Sequence, residues 1–126
     1  MDFITLEDCK DEIVTCVESD ITEANSYLLN LSKQMNVSES KIVIPAVYTV
    51  KRLGVVYALY IACVRNIGKD NLTSLDTESV RMDIYAQKAR LYKQEFAEIL
   101  KGISEADFTG KSSGYGTGFI VPVWRA

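Results

Sequence analysis

The chain has 126 residues, a formal net charge of -3 and no histidine. That length fits one domain, able to bury roughly two-thirds of its unfolded surface. Ordinary apolar and charged content argues against wholesale disorder, and the acidic balance argues against a nucleic-acid binder, which normally carries a basic face. The charge is uneven, however. Residues 1–40 hold nine acids against Lys10 and Lys33, whereas residues 41–70 hold Lys41, Lys51, Arg52, Arg65 and Lys69 against Asp70 alone. The two regions can neutralise each other within one subunit or across a contact between subunits.

The opening residues, MDFITLEDCKDE, carry neither the basic nor the apolar region of a secretory signal. Cys9, Cys16 and Cys63 are an odd number without framework spacing, expected as reduced, buried small hydrophobes. Thr5-Leu6-Glu7-Asp8 reads as a helix start with Thr5 as N-cap. A short helix over residues 6–17 would place Leu6, Cys9, Ile13 and Cys16 on one face. A metal or redox role for Cys9 and Cys16 is set aside, because no histidine and no third nearby sulfur completes a site. Asp8, Asp11 and Glu12 are expected to form a solvated acidic face rather than a cation site.

Asp20-Ile21-Thr22-Glu23 is a second helix start, an acid-capped variant of the capping box. Ile21, Ala24, Leu28, Leu31 and Met35 follow at spacings of three and four, a stripe for core packing. Residues 36–41 form a polar connector, and residues 42–44 are extended because they lead into Pro45. Pro45 suits the first turn of a helix. The stretch 44–66 is then the spine of the molecule, since residues 53–64 carry no charge on any face. A helix apolar all round is central or lies at an interface, and this run is too short to span a bilayer.

Residues 66–76, with Gly68, Asp70, Asn71 and Ser74, read as a loop. Asp76 or Thr77 caps a long last helix reaching about Lys101, with Met82, Tyr85, Ala89, Tyr92, Phe96, Ile99 and Ile103 as its apolar stripe. Arg81, Lys88, Lys101, Glu95 and Glu98 are expected on the opposite, charged face. A bundle helix explains the pattern without a partner, although a coiled coil would fit it too. Gly102 is a stop.

The end of the chain differs in kind. Gly110, Gly114, Gly116 and Gly118 alternate with Ser, Thr and Tyr115, and Phe119-Ile120-Val121-Pro122-Val123-Trp124 follows. The glycine run is costly to order, and the apolar end is awkward in water. An arm docking on a neighbour is the preferred reading, for instance by strand addition with Pro122 restricting it to an edge. Folding back over its own bundle, or hanging loose, are the alternatives.

No catalytic constellation emerges. Cys63 lies within the apolar run, where a thiol is inert. Gly110-Lys111-Ser112 lacks the earlier glycine of a phosphate-binding loop, Glu105 standing in its place. No enzyme activity, metal or cofactor is expected.

The order of these elements carries a resemblance. A capped N-terminal helix at Thr5-Leu6-Glu7-Asp8 precedes a helix of the Ile-Thr-Glu-Ala-Asn-Ser-Tyr-Leu kind at 21–28. A polar loop leads to Ile44-Pro45, an apolar helix with Ala58-Leu59-Tyr60 and Arg65, a long charged helix and a short tail. This layout, over residues 1–103, resembles the head–tail connector (adaptor, or head completion) proteins of long-tailed bacteriophages and their prophage relatives. The resemblance implies a small helical protein that forms a ring below the portal, extends the DNA channel and docks a tail-side completion or stopper protein. DNA would pass without sequence-specific binding. Such a protein is made in the bacterial host cytoplasm and ends in the virion neck, with no membrane and no catalytic residues.

The expectation is therefore an all-α bundle of about four helices around the central helix 44–66. Residues 1–104 form the connector-like domain and residues 105–126 an extended Gly-rich arm. Phe108, Tyr115, Phe119, Ile120, Val121, Trp124 and Arg125 are the arm's partner-binding candidates, and Lys111 and Arg125 could meet an acidic surface. Lys51, Arg52, Tyr57 and Arg65 are candidates for contact between subunits, because four helices can hardly cover every face of residues 53–64. Asp11, Glu12 and Glu18 could give the ring an acidic lumen. The alternative is a small dimeric helical regulator or nucleic-acid binder that uses Lys51, Arg52, Arg65 and Lys69.

Overall fold

The computed structural model describes residues 1–67 and 84–110. Among them the fold is all-α, with four helices: α1 (Glu18–Gln34), α2 (Tyr48–Asn66), α3 (Ile84–Gly102) and α4 (Glu105–Thr109). Single 3-10 turns stand at Leu6–Asp8 and Glu39–Lys41. No described helix is long and apolar enough to cross a membrane. The loop expected after residue 67, the start of the last helix with Met82, and the tail beyond Gly110 lie outside the described residues.

α2 is the hub, packing against α1, α3 and α4. Its apolar run becomes core: Leu53, Val55, Val56, Ala58, Leu59, Ala62 and Cys63 are all buried. Tyr57, Tyr60 and Ile61 are half-buried and only Val64 of residues 53–64 is exposed. One chain thus covers nearly every face of this helix, more than four helices were expected to cover. The cover comes from a fourth source besides the helices, the N-terminal segment, whose Phe3, Ile4 and Val14 join the same core. Gly54 makes the closest approach possible. A Cβ there would stand 2.7 Å from Leu28 Cδ1 and 3.1 Å from Ile4 Cγ2, so this glycine is a packing requirement rather than a weakness of the helix.

The start of α2 differs from the sequence reading. Val47, with φ -66° and ψ 160°, is the cap, and the helix begins at Tyr48. A ψ near 160° belongs to extended backbone, so Pro45, joined to Ile44 by a cis bond, sits in the lead-in and not in the first turn.

Residues 6–17 do not form the expected helix. After the turn at Leu6–Asp8, the Asp11 carboxylate accepts the N–H groups of Ile13 and Val14 at 2.8 and 3.0 Å. This side chain offers the backbone an alternative to helical bonding. The following residues alternate instead: Val14 and Cys16 point inward, whereas Ile13, Thr15 and Val17 are exposed. That period of two is the signature of an extended segment. Leu6, expected on the buried face, is exposed as well.

α1 starts at Glu18, with Asp20 in its first turn accepting the Val17 N–H at 2.9 Å. The same backward reach recurs at Asp8 to Thr5 N–H and at Asp107 to Ser104 N–H, each 2.8 Å. Each satisfies a donor that a helix end leaves open. The expected stripe of α1 is buried at Ile21, Ala24, Leu28 and Leu31. In α3, Ala89 is buried and Tyr85, Tyr92, Phe96 and Ile99 pack against the core.

The stretch expected to open the arm is helical in its described part. Residues 105–109 are helix α4, and Phe108 is 1% exposed, edge-on to Phe3 at 6.1 Å between ring centroids. Its carbonyl accepts the Val43 N–H at 3.0 Å. Phe108 is therefore a core residue of the bundle and no partner anchor. Gly110 ends α4 with φ 75°, in the left-handed region that glycine occupies without strain.

Candidate functional site

The four residues expected to reach another subunit turn out to be engaged within their own. Arg52 forks onto Glu95 of α3, Nε to Oε2 at 2.7 Å and Nη2 to Oε1 at 3.0 Å. This two-point geometry is the strongest that arginine makes with a carboxylate. Glu95, expected on the outer charged face of the last helix, faces α2 instead. Arg65, in the last turn of α2, pairs with Asp20 in the first turn of α1 and reaches the Thr15 carbonyl at 3.4 Å. Lys51 lies 3.5 Å from Asp8. The acidic first forty residues and the basic central helix thus neutralise one another inside the subunit, through the pairs Lys51–Asp8 and Arg65–Asp20.

Tyr57 stacks on Tyr27, with ring centroids 4.7 Å apart and planes 10° from parallel. Phe96 closes on both rings at 5.6 and 5.8 Å. Three aromatics from α1, α2 and α3 so fix the spacing of the bundle, a role for Tyr57 that serves packing before any partner. Burial raises both tyrosine hydroxyls above their ordinary value.

Two polar anchors were not anticipated. Asn25 is buried in α1; its side-chain oxygen accepts the N–H groups of Phe3 and Ile4 at 2.9 and 3.0 Å, and its amide donates to the Ile4 carbonyl at 3.2 Å. Asp11, expected in a solvated acidic face, has a side chain only 5% exposed. It accepts Lys88 Nζ at 2.9 Å and the Tyr92 hydroxyl, besides the two backbone donors. Burial alone would raise its pKa, but these donors hold it well below the usual carboxylate range. Asp11 thus pins the N-terminal segment to α3, and Lys88 is drawn off the expected outer face. Glu12 and Glu18 remain exposed.

The three thiols are free and buried. Burial pushes Cys63 up to about 11, and its Cys16 neighbour together with burial pushes Cys9 above its ordinary range. Neither favours the nucleophilic thiolate. Among the described residues no group of three acids, thiols or imidazoles stands close enough to hold a metal ion.

The surface left open is of another kind. Tyr48, at the head of α2, is 77% exposed, and Leu91 on α3 is 63% exposed. Tyr48 borders a cleft of about 330 Å³ shared with Thr49, Arg52, Glu95, Glu98, Ile99 and Gly102. A second cleft, of about 360 Å³, runs between the N-terminal segment and α1, past Met1, Leu6, Glu18 and Leu29. Tyr115, Phe119, Ile120, Val121, Trp124 and Arg125 lie outside the described residues. Comparison of the chain with family models, curated proteins and solved structures found no match.

Proposed function

We propose that the chain is a structural connector of a long-tailed phage, a ring-forming bundle below the portal that extends the DNA channel and docks a tail-side component. The observation that carries this reading is the combination of an internally cross-tied helical body with a tail of different composition. Arg52–Glu95, Arg65–Asp20 and Asp11–Lys88 join elements 43 to 77 residues apart in sequence, as a stiff building block requires. The tail then adds Gly-rich sequence ending in apolar and aromatic residues, the type that anchors interfaces. The layout resemblance over residues 1–103 supports the same assignment.

Subunit contacts fall to exposed side chains such as Tyr48 and Leu91 rather than to the paired Lys51, Arg52 and Arg65. An acidic lumen, if the ring has one, draws on Glu12 and Glu18, because Asp11 is buried against Lys88. The same pairing weighs against a nucleic-acid binder working through Lys51, Arg52 and Arg65, each of which already faces a carboxylate; Lys69 lies outside the described residues.

The test is mass in solution by light scattering over a concentration series, with the full chain beside a version ending at Gly110. That end point keeps α4 and Phe108 in place. A discrete ring that weakens when the tail is removed supports the proposal. A compact dimer with salt-dependent affinity for duplex DNA replaces it with the regulator.

A further inference from the structure

The cleft beside Tyr48 has an occupant within reach. Its apolar part is Tyr48, Ile99 and Gly102, and its charged part is Arg52, Glu95 and Glu98. Arg52 and Glu95 neutralise each other through their two-point pair. Glu98 does not share in that pair. Among the described residues it pairs with Lys101, 3.8 Å away, and both side chains are largely in water, where such a contact contributes little. The cleft therefore presents an exposed aromatic ring and one weakly engaged carboxylate, which suits an aromatic side chain next to a cation.

Beyond Gly110 the chain carries that pair once, as Trp124-Arg125, its sole tryptophan beside a guanidinium. Where the tail starts also matters. Gly110 stands against Val43, whose Cγ2 would lie 3.0 Å from a Cβ at that glycine. Val43 is five residues before Tyr48, so the cleft lies within about 18 Å of that point at most. Trp124 is fourteen positions beyond Gly110, enough to span up to about 50 Å. A tether of this length holds its end at an effective concentration in the millimolar range near its own cleft. A second copy offers less at ordinary protein concentrations.

We infer that, in the isolated subunit, residues 119–125 dock in this cleft of their own chain, with Trp124 against Tyr48 and Arg125 facing Glu98. Docked there, the tail is withheld from other surfaces until a partner displaces it. The assignment concerns the isolated subunit; in the ring the tail leaves this cleft and frees Tyr48 for the neighbouring subunit, so tryptophan emission of the monomer and mass in solution test the two readings separately.

The single tryptophan gives a direct readout in the full-length protein. Its emission is expected to be shifted to the blue of a free tryptophan amide, with acrylamide quenching reduced several-fold, both unchanged on dilution. Tyr48→Asp changes an exposed residue and leaves the circular dichroism and melting temperature in place, yet it returns the emission to the red. Glu98→Arg does the same in part, and adding Arg125→Glu restores the shift. Leu91→Asp, also at an exposed position but away from the cleft, has no effect. A fully solvated tryptophan overturns the inference. So does a buried tryptophan that ignores Tyr48→Asp and Glu98→Arg. A blue shift that appears only with rising protein concentration also overturns it, because the tail then sits on a second copy.

Discussion

Replacing Asp11 by alanine should be the most damaging single change to the N-terminal segment. The side chain is 5% exposed and accepts four donors: two backbone N–H groups, the Lys88 ammonium and the Tyr92 hydroxyl. Breaking a fully buried ion pair costs about 3–5 kcal/mol, and Lys88 is 27% exposed and can recover some hydration. The backbone donors add about 1 kcal/mol each where water cannot replace the carboxylate. A loss of about 3–4 kcal/mol follows, roughly 10–15 °C in melting temperature for a domain of this size. Urea denaturation of Asp11→Ala and Lys88→Met, singly and together, would show coupling well above the few tenths expected of independent sites. The acid limb supplies the sign. Because the folded pKa of Asp11 is lowered, its stabilisation is complete above the unfolded value near 4. It is lost as pH falls toward the folded value. The gap between wild type and Asp11→Ala should therefore be widest near pH 6 and narrow below pH 4. A loss under about 0.5 kcal/mol, the range of ordinary surface substitutions, or a gap that widens in acid, would refute the placement of Asp11.

Other substitutions report on separate parts of the packing. Asn25→Ala leaves the Phe3 and Ile4 N–H groups and the Ile4 carbonyl without their partner, and should cost about 2–4 kcal/mol; amide exchange at Phe3 and Ile4 should quicken well ahead of the rest of the core. Gly54→Ala would gain about 1 kcal/mol in an open helix. Here it should destabilise by about 1–3 kcal/mol instead, since its Cβ would meet Leu28 and Ile4 in a filled space; thermal unfolding decides the sign. All three cysteines should resist alkylation at neutral pH in the folded protein and react together only on unfolding, because they are buried and burial holds Cys63 near 11. Fast labelling of one thiol by an ordinary alkylating reagent would contradict its placement.

Much of the scaffold was legible because it follows helical periodicity. The stripe from Ile21 to Leu31 and the uncharged run at 53–64 each led to the correct helix and buried face. The stripe of the last helix was right in its described part. What escaped the reading has specific causes. The spacing of Leu6, Cys9, Ile13 and Cys16 matches a helix, but Asp11 diverts the backbone, and the β-branched alternation of residues 13–17 was the competing signal for an extended segment. Phe108 reads in sequence as part of the glycine-rich tail that follows it, although Ser104-Glu105-Ala106-Asp107 repeats the capping pattern of a helix start. Asn25 sits between two stripe residues, Ala24 and Leu28, where only the fold shows that it faces inward. The partners of Arg52, Arg65 and Lys88 are 43 or more residues away. Sequence spacing carries no information on such pairs, so side chains suited to a neighbour proved to be committed at home.

The connector proposal rests on assembly, and electron microscopy of the full-length protein tests it most directly. At concentrations where light scattering shows a mass above the dimer, negatively stained particles should be annular, with rotational symmetry and a central opening wide enough for duplex DNA. Compact two-fold particles without an opening, unchanged across that concentration range, would contradict the assignment.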